Sequence, residues 1–113
     1  MIDFEAGPKH HNPRGTLHGG LMCDIADAAM GLAYASVLQE DEGSTTIELK
    51  MNFLRPVIAG HLQAVGRIVK AGRTIGLTEC DITDDQGRLV ARASSTLMTL
   101  RSEDSVAGAE RRL

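Results

Sequence analysis

The stretch NPRGTLHGGLMCDIADAAMGLAYAS, Asn12 to Ser36, decides the fold. From Leu17 or His18 to about Leu38, its apolar residues predict one long helix. Leu21, Met22, Ile25, Ala26, Ala28, Ala29, Met30, Leu32, Ala33, Ala35, Val37 and Leu38 cover every face of it, and a helix that is apolar all round is a buried one. Such a helix is about 30 Å long at 1.5 Å per residue. The polar run Gln39 to Gly43 ends it, with Gly43 as a turn residue.

Around this helix the pattern is strand-like. Met1 to Ala6 reads as a short strand, and Gly7 to Thr16, rich in Gly, Pro, His and Asn, reads as a loop. After Gly43 the apolar period changes from helical to alternating. Ile47, Leu49, Met51 and Phe53 alternate with Thr46, Glu48, Lys50 and Asn52, which predicts a half-buried strand ending at Pro56. Val57 to Gly60 connects it to a strand over His61–Lys70. Ala71-Gly72-Arg73 turns into a strand over Thr74–Thr83, and Asp84-Asp85-Gln86-Gly87 is a hairpin signal before the last strand, Arg88–Leu100. Connections this short demand antiparallel pairing. The expected class is α+β: one long central helix wrapped by an antiparallel sheet of about five strands. One sheet cannot enclose an apolar helix on every side, so a second copy is expected to cover the remainder, and a homodimer at least follows. Residues 1–101 form the expected domain, and polar 102–113 a flexible C-terminal tail.

Bulk properties narrow the function. With 113 residues the chain is one small domain. Aromatic content of 3% leaves little for base stacking, and a net charge of −3 opposes binding to a phosphate backbone, so nucleic acid is not an expected partner. Cys23 and Cys80 lack the spacing of a disulfide framework or zinc site and read as reduced thiols. There is no basic segment followed by an apolar one of the kind that directs secretion, and no apolar run long enough to span a membrane, so a cytoplasmic location is expected. Met1 to Ala6 already reads as the inside of a strand, which suggests a longer natural N-terminus.

The chemistry concentrates at the start of the helix. A helix N-terminus leaves backbone N–H groups unpaired and carries partial positive charge. Gly19 and Gly20 let another molecule approach those amides, because no Cβ stands in the way. Such a site suits an anion or a polarised carbonyl oxygen, and the side-chain amide of Asn12 adds a donor. Taken alone, Gly19-Gly20 also fits a tight loop-to-helix joint, and His18 fits a capping or packed histidine. Asp24 suits the helix dipole. Asp27 lies too deep for a cap, and a buried carboxylate is costly unless paired. It is either a working group or an acid facing a solvated groove.

The pattern Asn12-x-x-Gly15-Thr16-x-His18-Gly19-Gly20, with Asp27 nine residues beyond the histidine, resembles the PaaI-like group of hotdog-fold thioesterases, which includes phenylacetate-pathway and mammalian acyl-CoA thioesterases. Thr45 to Pro56, Gly72-Arg73 and Asp85 to Ala91 are similar to that group as well, so the resemblance runs from Asp3 to Leu100. It implies hydrolysis of an acyl-CoA by a cytoplasmic homodimer, with a tetramer of two dimers usual, and without metal or cofactor. Asp27 would act as nucleophile or as general base on water. Asn12 would orient the water or the carbonyl, and the N–H of Gly19 or Gly20 would polarise that carbonyl. The site would lie between protomers, Asp27 of one meeting Asn12 and His18-Gly19 of the other. Thr46 falls where relatives place a hydroxyl that holds the water. Asp24 has no assigned role.

A thioester carbonyl is electrophilic enough for two donors and one carboxylate, and no G-x-S-x-G motif suggests a serine triad. The acyl tail is expected beside the helix at Met22, Ile25 and Ala26. Ala28, Ala29 and Gly31 leave room for it, or for a closely packed second helix. Arg55, Lys70, Arg73 and Arg88 are candidates for the phosphates of coenzyme A, and Gly72 is a further candidate for substrate binding. The alternatives are a hydratase or dehydratase using His18 with Asp27, a non-catalytic acyl-CoA-binding protein, a Cys23–His18 pair, and a metal held by His10, His11, His18 and Asp24.

Overall fold

The structure is a computed structural model and describes residues 1–101; the tail expected over 102–113 lies outside the described residues. In chain order the elements are β1 (Ile2–Ala6), a 3-10 turn (Pro8–His10), α1 (Gly19–Ala35), β2 (Gly43–Phe53), β3 (Gly60–Ala71), β4 (Ile75–Thr83) and β5 (Leu89–Leu100). The strands form one antiparallel sheet in the order β1-β3-β4-β5-β2. The helix lies on one face of it, which is the hotdog arrangement. Among the described residues no helix is long and apolar enough to cross a membrane.

The helix seats itself where the strands offer no side chain. A Cβ on Gly66 of β3 would stand 2.4 Å from the Ala29 carbonyl oxygen, and one on Gly76 of β4 would meet the ring of Tyr34. Leu62, Ala64, Cys80, Ile82, Val90, Ala91 and Ala93 then pack against Met22, Ile25, Ala26, Ala29 and Met30. Burying each larger side chain of this set contributes roughly 1.5–3 kcal/mol. At the far end, Tyr34 Oη and Thr99 Oγ1 share a buried hydrogen bond of 2.7 Å.

Two expectations need correction. The helix stops at Ala35, short of Leu38, because Ser36, Val37 and Leu38 turn their amides to carbonyls three residues back and tighten the last turn. Gly43 opens β2 instead of sitting in a turn. As expected of one sheet, the chain by itself buries only one stripe of the helix. Asp24, Asp27, Ala28 and Ala35 are exposed, and Leu32 is 59% exposed, because one sheet reaches one side only.

β2 also departs from strict alternation. Its register with β5 shifts between Thr46 and Glu48, leaving Ile47 as the extra residue of a bulge. The parity therefore inverts. Leu49 and Met51 still face the core, but Ile47, expected to join them, is 55% exposed. Thr46, expected on the opposite face, pairs with buried Leu97 and faces the helix.

Candidate active site

The candidate residues fall in two groups, which lie apart in the chain. The first is the loop before α1. The Asn12 side chain folds back on its own loop: Oδ1 accepts from the Arg14 amide at 2.9 Å and the Thr16 amide at 3.3 Å, and Nδ2 donates to Thr16 Oγ1 at 3.0 Å. Gly15 allows this turn, with φ at 82°. Nδ2 carries two N–H groups, so one remains for another partner. His18 is the N-cap residue without a side-chain cap bond; its carbonyl accepts from Leu21 and Met22. Among the described residues, the amides of Gly19 and Gly20 have no backbone acceptor.

Gly19 borders a cleft of about 460 Å³ lined also by Asn12, Thr16, Met22, Phe53 and Arg55, among others. Met22 is buried against its wall. Phe53 and Arg14 also line it, and the sequence reading did not single them out for the site. Phe53 reads as one more apolar residue of an alternating strand, so only its position against Gly19 marks it. Among the described residues neither Arg14 nor Arg55 has a carboxylate partner.

The second group is Asp27 with Thr46. Asp27 is exposed, so the costly buried carboxylate weighed above does not exist in the single chain. Its Oδ1 accepts from Thr46 Oγ1 at 2.9 Å. Asp27 lies eight residues past Gly19, about 12 Å along the helix axis, and does not line the cleft at the N-terminus. Gly20, Asp24, Asp27 and Gly31 share one side of the helix by their spacing. Among the described residues, a Cβ at Gly20 or Gly31 would meet nothing within 4 Å.

The remaining candidates scatter. Gly72 and Arg73 border a different cleft, of about 540 Å³, with Lys70, Ile75, Leu77 and Thr96. It lies at the Tyr34 end of the helix, whereas Met22 and Arg55 lie at the Gly19 end. Arg88 is tied to Asp84 at 2.8 Å, which leaves it poorly placed for a phosphate. Burial, then the neighbouring Asp24, pushes the Cys23 thiol up, the wrong direction for a nucleophile paired with His18. His10 accepts from the Gly7 amide and His11 bonds the Ile58 carbonyl. Among the described residues no three potential ligands group around one point.

The sequence profile of the thioesterase superfamily matches residues 14–91. A relative from Caenorhabditis elegans is 31% identical over 100 residues, covering 87% of this chain and 59% of that protein. The chain thus spans about three-fifths of that curated relative's length. The 1,4-dihydroxy-2-naphthoyl-CoA hydrolase of Listeria monocytogenes is 28% identical over 86% of this chain and 79% of its own. In three dimensions the chain is similar to the BH2602 protein of Bacillus halodurans, solved with CoA: the TM-score is 0.83, with 30% identity over 87% of this chain and 69% of that one.

Proposed function

The chain belongs to the thioesterase superfamily, and from that premise we propose that it hydrolyses the thioester of a small-to-medium aliphatic or aromatic acyl-CoA, at a site shared between two copies. The observation that carries this reading is the separation within one chain. A carboxylate held by a hydroxyl stands on the uncovered side of the helix, about 12 Å along the axis from the unpaired amides of Gly19 and Gly20. One carbonyl cannot meet both in the same chain. Among the described residues, the 11-residue β2 has an unpaired edge beside that uncovered side. A second copy set along it would cover the exposed apolar residues and bring its own Asn12 and Gly19 toward Asp27.

In the resulting reaction the thioester oxygen accepts from the amide of Gly19 or Gly20. Donors preorganised toward the developing oxyanion are worth roughly 3–4 kcal/mol each. The remaining Nδ2 hydrogen of Asn12 orients the water or the carbonyl, and the His18 carbonyl holds the helix start. Asp27 either attacks directly, forming a mixed anhydride that water then cleaves to the acid and free Asp27, or takes the proton of the attacking water and passes it to the leaving sulfur, with Thr46 holding its carboxylate. The C–S bond breaks and the thiol of coenzyme A leaves. Arg55 is proposed for a phosphate from the near cleft. Gly72 and Arg73, at the far end of their own chain, reach the same coenzyme A only from another copy. The name of the Listeria relative and the CoA in the Bacillus structure support an acyl-CoA substrate. Further pairing of dimers into a tetramer, cytoplasmic and without metal or cofactor, completes the proposal.

The test is thiol release across a panel of aliphatic and aromatic acyl-CoA esters, with the mass in solution measured alongside. Release by a dimer or larger assembly is expected. A chain active as a monomer removes the shared site, and a panel without any release removes the activity.

A further inference from the structure

The sequence holds three aromatic side chains, Phe4, Tyr34 and Phe53. Tyr34 is buried, and Phe4 packs on the core and edge-on to His10. Phe53 is spent differently. It ends β2 opposite Ala91 on the helix side of the sheet, yet it is 52% exposed and stands at the cleft above the helix N-terminus. A single exposed aromatic is ordinary, so exposure by itself carries nothing.

The contact is what matters. A Cβ added at Gly19 would lie 3.0 Å from Phe53 Cζ, 3.2 Å from Cε1 and 3.6 Å from Cε2, so the end of the ring occupies that flank of Gly19. At Gly20 the same construction meets nothing within 4 Å. Two adjacent glycines with unpaired amides therefore differ: one is walled and the other is open. The wall is anchored, because the amides of Leu54 and Arg55 both donate to the Val90 carbonyl and hold the chain beyond Phe53 against β5.

We infer that Phe53 is a positioning residue of the thioester site, acting through Gly19. Terminal helix residues fray, and an amide that wanders is a poor oxyanion donor. The ring rests on Gly19, keeps its amide aimed into the cleft and excludes water from that flank, which strengthens the amide's field on a bound oxygen. The open flank of Gly20 is where the thioester enters. Glycine at 19 is then required by Phe53 and glycine at 20 by the substrate. This inference rests on the proposed hydrolysis, and the experiment separates the two.

Wild type, Phe53→Ala, Phe53→Tyr and Gly19→Ala are compared as full chains. Amide hydrogen exchange at Gly19 and Gly20 is read by NMR, independent of turnover, alongside kcat, KM and mass in solution. Phe53→Ala is expected to speed Gly19 exchange and to lower kcat by about tenfold, a fraction of what losing a whole donor costs, with KM within about twofold. Phe53→Tyr keeps the ring and restores both. Gly19→Ala displaces the ring and resembles Phe53→Ala. Unchanged Gly19 exchange in Phe53→Ala overturns the inference. So does a rise in KM with kcat held, or dissociation of the assembly, which would make Phe53 an interface residue. A wild type without thioesterase activity defeats the proposed function while the exchange data still judge the wall.

Discussion

Thr46 Oγ1 donates a hydrogen bond to Asp27 Oδ1 over 2.9 Å, and it reaches that carboxylate because β2 carries one extra residue, Ile47. Strict alternation would send Thr46 to the opposite face of the sheet, since a one-residue change of register inverts every side chain beyond it. The bulge turns Thr46 toward the helix while Leu49 and Met51 stay on the core. Bulges are frequent next to active sites because they re-aim a side chain in this way.

Asp27→Asn keeps the size of the side chain and removes its basicity. Turnover of an acyl-CoA is expected to fall by about 10²–10⁴-fold, the usual worth of a positioned proton acceptor. The fold should survive, because the side chain is exposed. Circular dichroism and mass in solution check the fold. Turnover equal to wild type would remove Asp27 from the site.

Thr46→Val keeps the branched shape and deletes the donor. A hydrogen bond to a charged group contributes about 1.5–3 kcal/mol, and exposure reduces that, so a loss in turnover of about tenfold is expected, smaller than for Asp27→Asn. Removing Ile47 should spare turnover by comparison, because Thr46 then precedes Glu48 directly in a regular ladder, still opposite Leu97 and still on the helix side. A crystal structure of the deletion variant would show which face Thr46 takes.

Gly66→Ala should be among the most damaging single changes. Its methyl would stand 2.4 Å from the Ala29 oxygen and 2.7 Å from the Ala29 carbon, and helix backbone has little room to yield. A loss of roughly 1–3 kcal/mol or more is expected from overpacking. Gly31→Ala, with nothing among the described residues within 4 Å, lacks that clash. Denaturant midpoints of the two variants make the comparison.

His61 predicts a pH dependence. Its Nδ1 lies 2.8 Å from Glu5 and its Nε2 2.8 Å from Asp3, so only the imidazolium donates to both. The bond to Glu5, then that to Asp3, raises its pKa above the ordinary 6.5. The folded chain holds this proton more tightly than the unfolded one. The stabilising contribution is therefore complete below about pH 6.5, the unfolded value, and is lost as pH rises through the folded value. The stability difference between wild type and His61→Gln should shrink on going from acid to alkaline pH, and shrink further with salt. An NMR titration midpoint at or below 6.5 would contradict the arrangement.

The two thiols should react differently. Cys80 is fully buried, and desolvation, aided by Asp81, pushes it up to about 11. Near pH 8 it is expected to resist a thiol reagent until the chain unfolds, whereas partly exposed Cys23 reacts slowly in the folded state. Mass spectrometry of the labelled protein in native buffer and in denaturant counts them.

What the chain's order of residues determined by itself was the inventory. The change of apolar period after Gly43 divides it into one helix and a set of strands, and short connections make those strands antiparallel. The spacing from Asn12 through Gly19-Gly20 to Asp27 was legible because it is a local pattern. Tertiary structure alone decided which way those parts face. A bulge at Ile47 has no mark in an alternating run, because it is set by pairing with β5, so the side taken by Thr46 was hidden. The apolar helix announced how much surface needs cover and not what covers it, since hydrophobic burial has no direction. The contact of Phe53 with Gly19 and the placement of Arg55 and Arg73 at opposite ends arise from residues far apart in the chain, and only packing brings such residues into relation.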